Sequence, residues 1–104
     1  MAVPLKDSIR IKTENEQTKA LDREKCFLIQ TPQTFKYHIL IKAFEQEEQL
    51  YFTDDATVVE QMGEKINLVA GTYFNIKITT KEDLVLGRAI YETEMNFDSN
   101  QTLV

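Results

Sequence analysis

Ile9, Ile11 and Thr13 alternate with Arg10 and Lys12, a pattern that predicts a strand. The polar run Glu14-Asn15-Glu16-Gln17 predicts a turn, and Thr18 to Leu21 a return strand. The resulting hairpin has little apolar cover. Because a two-stranded ribbon is marginal in water, it is expected to pack on its own domain or to reach a second subunit, and the second is favoured here. Cys26 to Gln30 is a short apolar run of the kind a buried strand uses, and it leads into Thr31-Pro32, an N-cap with proline at the first helical position. Phe35, Ile39, Leu40, Ala43 and Phe44 follow at helical spacing, and this helix is expected to end in the acidic run Glu45 to Gln49.

Thr53 or Asp54 is expected to cap a second, shorter helix through Met62, with Asp54 and Asp55 at the positive end of its dipole and Gly63 stopping it. Ile66 to Ala70 reads as a strand. Asn75-Ile76-Lys77-Ile78-Thr79 reads as another, with Ile76 and Ile78 on one face and Lys77 presented on the other. Thr80-Lys81-Glu82-Asp83 fits a capping box at the head of a last helix carrying Leu84, Ala89 and Ile90. After about Glu92 the tail, residues 93–104, shows no clear period. Strands alternating with helices indicate an α/β layer architecture, a largely parallel or mixed sheet flanked by helices.

The 104 residues suffice for one compact domain, not two. A domain this small buries only roughly two thirds of its unfolded surface, so a partner chain is a natural source of stability. Seventeen acids against twelve bases give a formal charge of −5, which opposes nucleic-acid binding. Cys26 has no second cysteine to pair with, and with His38 as the one histidine no zinc set can be assembled. The opening residues carry no apolar signal core and no later run approaches a membrane span, so the default location is cytoplasmic. Gly63, Gly71 and Gly87 stand too far apart to form a phosphate-cradling loop.

The run Gln30-Thr31-Pro32-Gln33-Thr34-Phe35 is distinctive. Together with Ala2-Val3-Pro4-Leu5-Lys6-Asp7-Ser8-Ile9, Leu21-Asp22-Arg23, Thr53-Asp54-Asp55-Ala56 and Asn75-Ile76-Lys77-Ile78-Thr79, it resembles the C-terminal half of the methylerythritol-phosphate cytidylyltransferase family. Order and spacing agree from Ala2 to about Glu92, and several of the motifs are shared with ribitol-phosphate cytidylyltransferases. The resemblance implies the C-terminal half of a Rossmann-like nucleotidyltransferase domain over residues 1–92, with a protruding β-arm at about 8–25. It implies transfer of CMP from CTP to 2-C-methyl-D-erythritol 4-phosphate, with release of pyrophosphate, in non-mevalonate isoprenoid synthesis. It further implies a homodimer clasped through the arm.

By the same resemblance Arg23 and Lys77 hold the substrate phosphate for attack, and Ser8, Thr31 and Thr53 supply hydroxyls to the polyol or its phosphate. Ser8 stands where threonine is commoner. The residue types suit the task, since guanidinium grips phosphate through parallel donors and lysine is a compact point charge. Each residue also has a plainer reading: Arg23 as a solvated surface arginine, Lys77 as the polar face of an edge strand, Thr31 and Thr53 as helix caps, Ser8 as an ordinary strand-start hydroxyl. His38 is assigned no role, Cys26 reads as a small buried hydrophobe, and the Glu45 to Glu48 acids read as a solvated helix end.

Family members begin with a strand and a Gly-rich loop that cradles the CTP triphosphate, followed by an Asp that binds Mg²⁺. Nothing in this sequence matches that part. The expectation is a fragment whose Mg²⁺ ligand lies in the missing N-terminal half and which, alone, transfers no cytidylyl group. The competing expectations are a ribitol-5-phosphate cytidylyltransferase fragment, or a non-catalytic module that uses the arm for dimerisation.

Overall fold

The computed structural model describes residues 1–102, with side chains described through residue 96. The chain divides into two compact units, residues 1–71 and the residues from Thr72 onward. In the first, a short strand β1 (Ala2–Pro4) precedes β2 (Ile9–Lys12) and β3 (Thr18–Leu21). A single 3₁₀ turn (Arg23–Lys25) leads to β4 (Phe27–Ile29), and two helices follow, α1 (Tyr37–Ala43) and α2 (Asp55–Gln61). The second unit contains α3 (Lys81–Thr102).

β2 and β3 pair antiparallel from Ile9↔Leu21 to Lys12↔Thr18, the hairpin that the alternation predicts. Its turn closes where Thr13 N–H donates to the Gln17 carbonyl at 2.8 Å, with Glu16 in the left-handed region at φ 59°. Arg10 clasps the opposite strand, its Nε donating to Thr18 Oγ1 at 2.8 Å. Apart from the half-buried Ile9, every residue of the two strands is exposed.

β1 pairs antiparallel with β4, Ala2↔Ile29 to Pro4↔Phe27, and on its other side makes a parallel bridge to Ala70. Ala2 N–H donates to the Val69 carbonyl at 2.8 Å and Gly71 N–H to the Ala2 carbonyl at 2.9 Å. The sheet of this unit is therefore mixed but small. Helices do not flank a broad sheet; among the described residues there are two two-stranded ribbons and one bridge. The predicted strand at Ile66 to Ala70 shrinks to that bridge, and the one at Asn75 to Thr79 does not form. A strand exists only where a neighbour completes its hydrogen-bond ladder, and the described part of the second unit contains no strand to do so. β4, expected to be buried, leaves Phe27, Leu28 and Ile29 between 43% and 50% exposed.

The core of the first unit lies between α1 and α2, where Ala43, Val58 and Val59 are buried and Phe35, Ile39, Leu40, Phe52, Met62 and Ile66 pack around them. α2 begins as predicted with Asp54 as N-cap, its side chain accepting from Thr57 N–H. It ends at Gly63, whose φ of +100° is a turn glycine's. α1 departs from expectation, for it starts at Tyr37 rather than at Thr31-Pro32 and its N-cap Lys36 makes no side-chain cap bond. The Thr31–Pro32 peptide is cis, and the stretch after it is held out of helix by Gln33, whose side chain is committed to the start of α2.

In the second unit the capping box forms. Asp83 Oδ2 accepts from Thr79 N–H and Thr80 N–H at 3.0 Å each, and Asp83 N–H donates to Thr80 Oγ1 at 3.2 Å. These donors, the Thr79 backbone first, hold the Asp83 carboxyl below its ordinary value of 3.8. The helix runs on through Thr102, so the aperiodic stretch from Thr93 is helical as far as it is described.

Candidate functional site

Ser8 and Arg23 both lie at the base of the hairpin. Ser8 immediately precedes the Ile9↔Leu21 pair and Arg23 follows it by two residues. Asp22 accepts from Glu24 N–H at 3.1 Å and so starts the 3₁₀ turn that carries Arg23. The Arg23 guanidinium reaches across the base and donates from Nη1 to the Lys6 carbonyl at 2.9 Å. It is exposed yet anchored, with further N–H donors beyond the one engaged. Cys26 is half-buried rather than buried, its Sγ 3.5 Å from the Asp22 carbonyl oxygen.

Thr31 and Thr53 lie on two loops that side chains tie together. Gln33 Oε1 accepts from Ala56 N–H at 3.0 Å, and Gln33 Nε2 donates to Asp54 Oδ2 at 3.4 Å. Thr31 caps no helix, because none starts there, and Asp54 rather than Thr53 caps α2. The plain reading of both threonines as caps is thereby removed. Thr53 and Asp54 border an open cleft of about 440 Å³ together with Phe44, Gln46, Glu48 and Phe52.

Lys77 lies in the second unit and is exposed. The predicted alternation holds only in part, since no ladder forms and Ile78 is 54% exposed, although a Cβ on Gly87 would meet Ile78 Cδ1 at 3.0 Å and Ile76 Cδ1 at 4.0 Å, so both isoleucines approach α3. Ile76 is half-buried while Lys77 is left at the surface.

A family model described as 2-C-methyl-D-erythritol 4-phosphate cytidylyltransferase matches residues 1–93. The chain belongs to this family. Relatives bearing that name include proteins of Desulforamulus reducens, 42% identical over 92 residues, and Bacillus pumilus, 41% over 100 residues. A third, from Clostridioides difficile, is 37% identical over 102 residues. These alignments cover 86%, 93% and 96% of this chain but 39%, 44% and 43% of the relatives. The chain thus spans about two fifths of the length of the curated cytidylyltransferases it matches.

Among the described residues no group of three or more His, Cys, Asp or Glu side chains is placed to hold a metal ion. The described residues therefore do not fit a metal centre of their own. No helix among them is long and apolar enough to cross a membrane. The cap role of Asp54 is legible in the sequence, but its bond to Gln33 is not. Their contact spans 21 positions and leaves no periodic signal.

Proposed function

We propose that this chain is the acceptor-binding part of a cytidylyltransferase that transfers CMP from CTP to 2-C-methyl-D-erythritol 4-phosphate, releasing pyrophosphate, in non-mevalonate isoprenoid synthesis. The observation that carries the reading is the Arg23 guanidinium, anchored on the Lys6 carbonyl at the base of the hairpin that Ser8 leads into. In the reaction a phosphate oxygen of the acceptor attacks the α-phosphorus of CTP, a new P–O bond forms, and the bond to pyrophosphate breaks. Two anions have to approach, and fixed cations and donors relieve their repulsion and hold the attacking oxygen in line. Arg23 grips the acceptor phosphate through its remaining donors and Lys77 adds a point charge. Ser8, Thr31 and Thr53 offer hydroxyls to the polyol or its phosphate.

The small mixed sheet around β1 is read as part of a Rossmann-like nucleotidyltransferase sheet, within a domain part formed by residues 1–92. The hairpin is read as the β-arm, about 8–25, that contacts a second copy in a homodimer. Its lack of apolar cover supports that reading, since strands this exposed gain little from their own unit. CTP and Mg²⁺ are assigned to residues outside this chain, because close backbone approach to a triphosphate needs neighbouring glycines and the three here are widely separated. The chain alone then transfers no cytidylyl group, and the reaction belongs to the cytoplasm.

Titration of the labelled chain with 2-C-methyl-D-erythritol 4-phosphate, followed by backbone NMR, tests the reading. Shifts at Ser8, Arg23, Thr31, Thr53 and Lys77 are expected, larger than those given by ribitol 5-phosphate, with no pyrophosphate released from CTP. An absence of shifts overturns the assignment, and stronger binding of ribitol 5-phosphate overturns the choice of acceptor.

A further inference from the structure

Gln33 and Asp54 form a clamp between two loops that otherwise have no ladder to hold them. The Gln33 carboxamide uses both ends: its oxygen accepts from Ala56 N–H at 3.0 Å and its nitrogen donates to Asp54 Oδ2 at 3.4 Å. Asp54 turns its other oxygen to Thr57, accepting from the backbone N–H at 2.9 Å and from the hydroxyl. All four residues are half-buried, where such bonds are less exposed to competition from water. Capping α2 requires only Asp54; the bonds from Gln33 add a tether from a segment more than twenty positions upstream. Thr31 stands two residues before Gln33 and Thr53 one residue before Asp54. Phe35 and Phe52 anchor the same loops on the α1/α2 core, so each loop is pinned at an apolar point and at a polar one.

We propose that Gln33 and Asp54 are positioning residues that set the spacing of Thr31 and Thr53, and through it the affinity for the polyol phosphate, without contacting the ligand. This rests on the assignment of the two threonines under the proposed function. Without the clamp the loops would have to be ordered at the moment of binding, and that cost appears as lost affinity. An exchange of partners isolates the effect. Gln33→Glu sets two carboxylates against each other, and Asp54→Asn faces one amide with another. The double variant restores the pattern with the same net charge: an Asn amide at position 54 donates to a Glu carboxylate at position 33, which still accepts from Ala56 N–H.

The test measures the dissociation constant of the 104-residue chain for 2-C-methyl-D-erythritol 4-phosphate by calorimetry, at a temperature where circular dichroism shows each variant folded. Each single variant is expected to bind about five- to tenfold more weakly, and the double variant within about twofold of the unaltered chain. Gln33→Met removes both bonds without adding charge and is expected to match the single variants. Protection of the Ala56 amide from exchange, read without ligand, is expected to fall in the single variants and return in the double. A merely structural clamp lowers melting midpoints and leaves the affinity of the folded protein unchanged, and that result overturns the proposal. Weakened single variants with no rescue in the double overturn it too. No binding by the unaltered chain overturns instead the substrate assignment beneath it, and the Ala56 exchange then shows separately whether the clamp exists.

Discussion

The Gln46 side-chain amide donates to the Val58 carbonyl at 2.9 Å and, with its second hydrogen, to the Ala43 carbonyl at 2.8 Å. It joins the end of α1 to the middle of α2 beside the most buried residues of the unit, Ala43 and Val59. Gln46→Ala leaves part-buried carbonyls without these donors, and the expected loss is about 1–2 kcal/mol of stability in urea unfolding. Gln46→Glu removes both donors and is expected to cost more. Equal stability of all three proteins would show that water replaces the amide there.

Gly71 packs against the Gln30 side chain so closely that an added Cβ would overlap Gln30 Oε1, and it would lie 3.5 Å from the Ala2 carbonyl oxygen. Gly71→Ala is expected to destabilise by about 1–3 kcal/mol, since Gln30 must move away from a site next to the β1 bridge. In a Gln30→Ala background the same substitution should cost much less, and a double-mutant cycle reads that coupling directly.

The Thr79 and Thr80 donors at the head of α3 hold the Asp83 carboxyl below its ordinary value. A group whose folded value is depressed contributes stability that is fully present above its ordinary value of 3.8 and is lost as pH falls through the lower folded value. The second unit should therefore lose helical circular dichroism in acid, at a pH below 3.8. Asp83→Asn should flatten that part of the profile, and an identical acid transition in the variant would assign it to other carboxylates.

In a polypeptide of the relatives' full length that carries this sequence, Arg23→Ala and Lys77→Ala are each expected to lower turnover with methylerythritol phosphate by about a hundredfold or more. Stability should change by no more than about 0.5 kcal/mol, because both residues are exposed. Arg23→Lys tests the fork geometry: a point charge should restore only part of the rate. Unchanged kinetics in the alanine variants would remove both residues from the site.

What could be read along the chain was what neighbouring residues decide. The hairpin has both strands within the thirteen residues from Ile9 to Leu21, and its register follows from alternation and turn. The caps of α2 and α3 each lie within one helical turn of the backbone they satisfy, so Asp54, Gly63, Thr80 and Asp83 announced themselves. The start of α1 was misread because Pro32 looked like a first helical residue, whereas Gln33 is claimed by Asp54 and Ala56 far along the chain. The strand patterns at 66–70 and 75–79 were read from their side chains, but a ladder needs a second strand beside it. For the proposed site, motif resemblance supplied the candidates Ser8, Arg23, Thr31, Thr53 and Lys77. The removal of the cap role from Thr31 and Thr53 needed three-dimensional structure.

β1 has three residues, yet it joins β4 on one side and Ala70 on the other. The Ala2–Ala70 bridge closes a loop of roughly 70 positions, against four between Thr13 and Gln17 in the hairpin turn. Loop closure of that length costs about 2.5 kcal/mol more entropy than the turn. The hairpin and the α1/α2 contact can form early from local encounters, while the β1 seam closes late. The Ala2–Ala70 bridge, which joins the most distant positions of the unit, is then expected to be the last of these contacts to form.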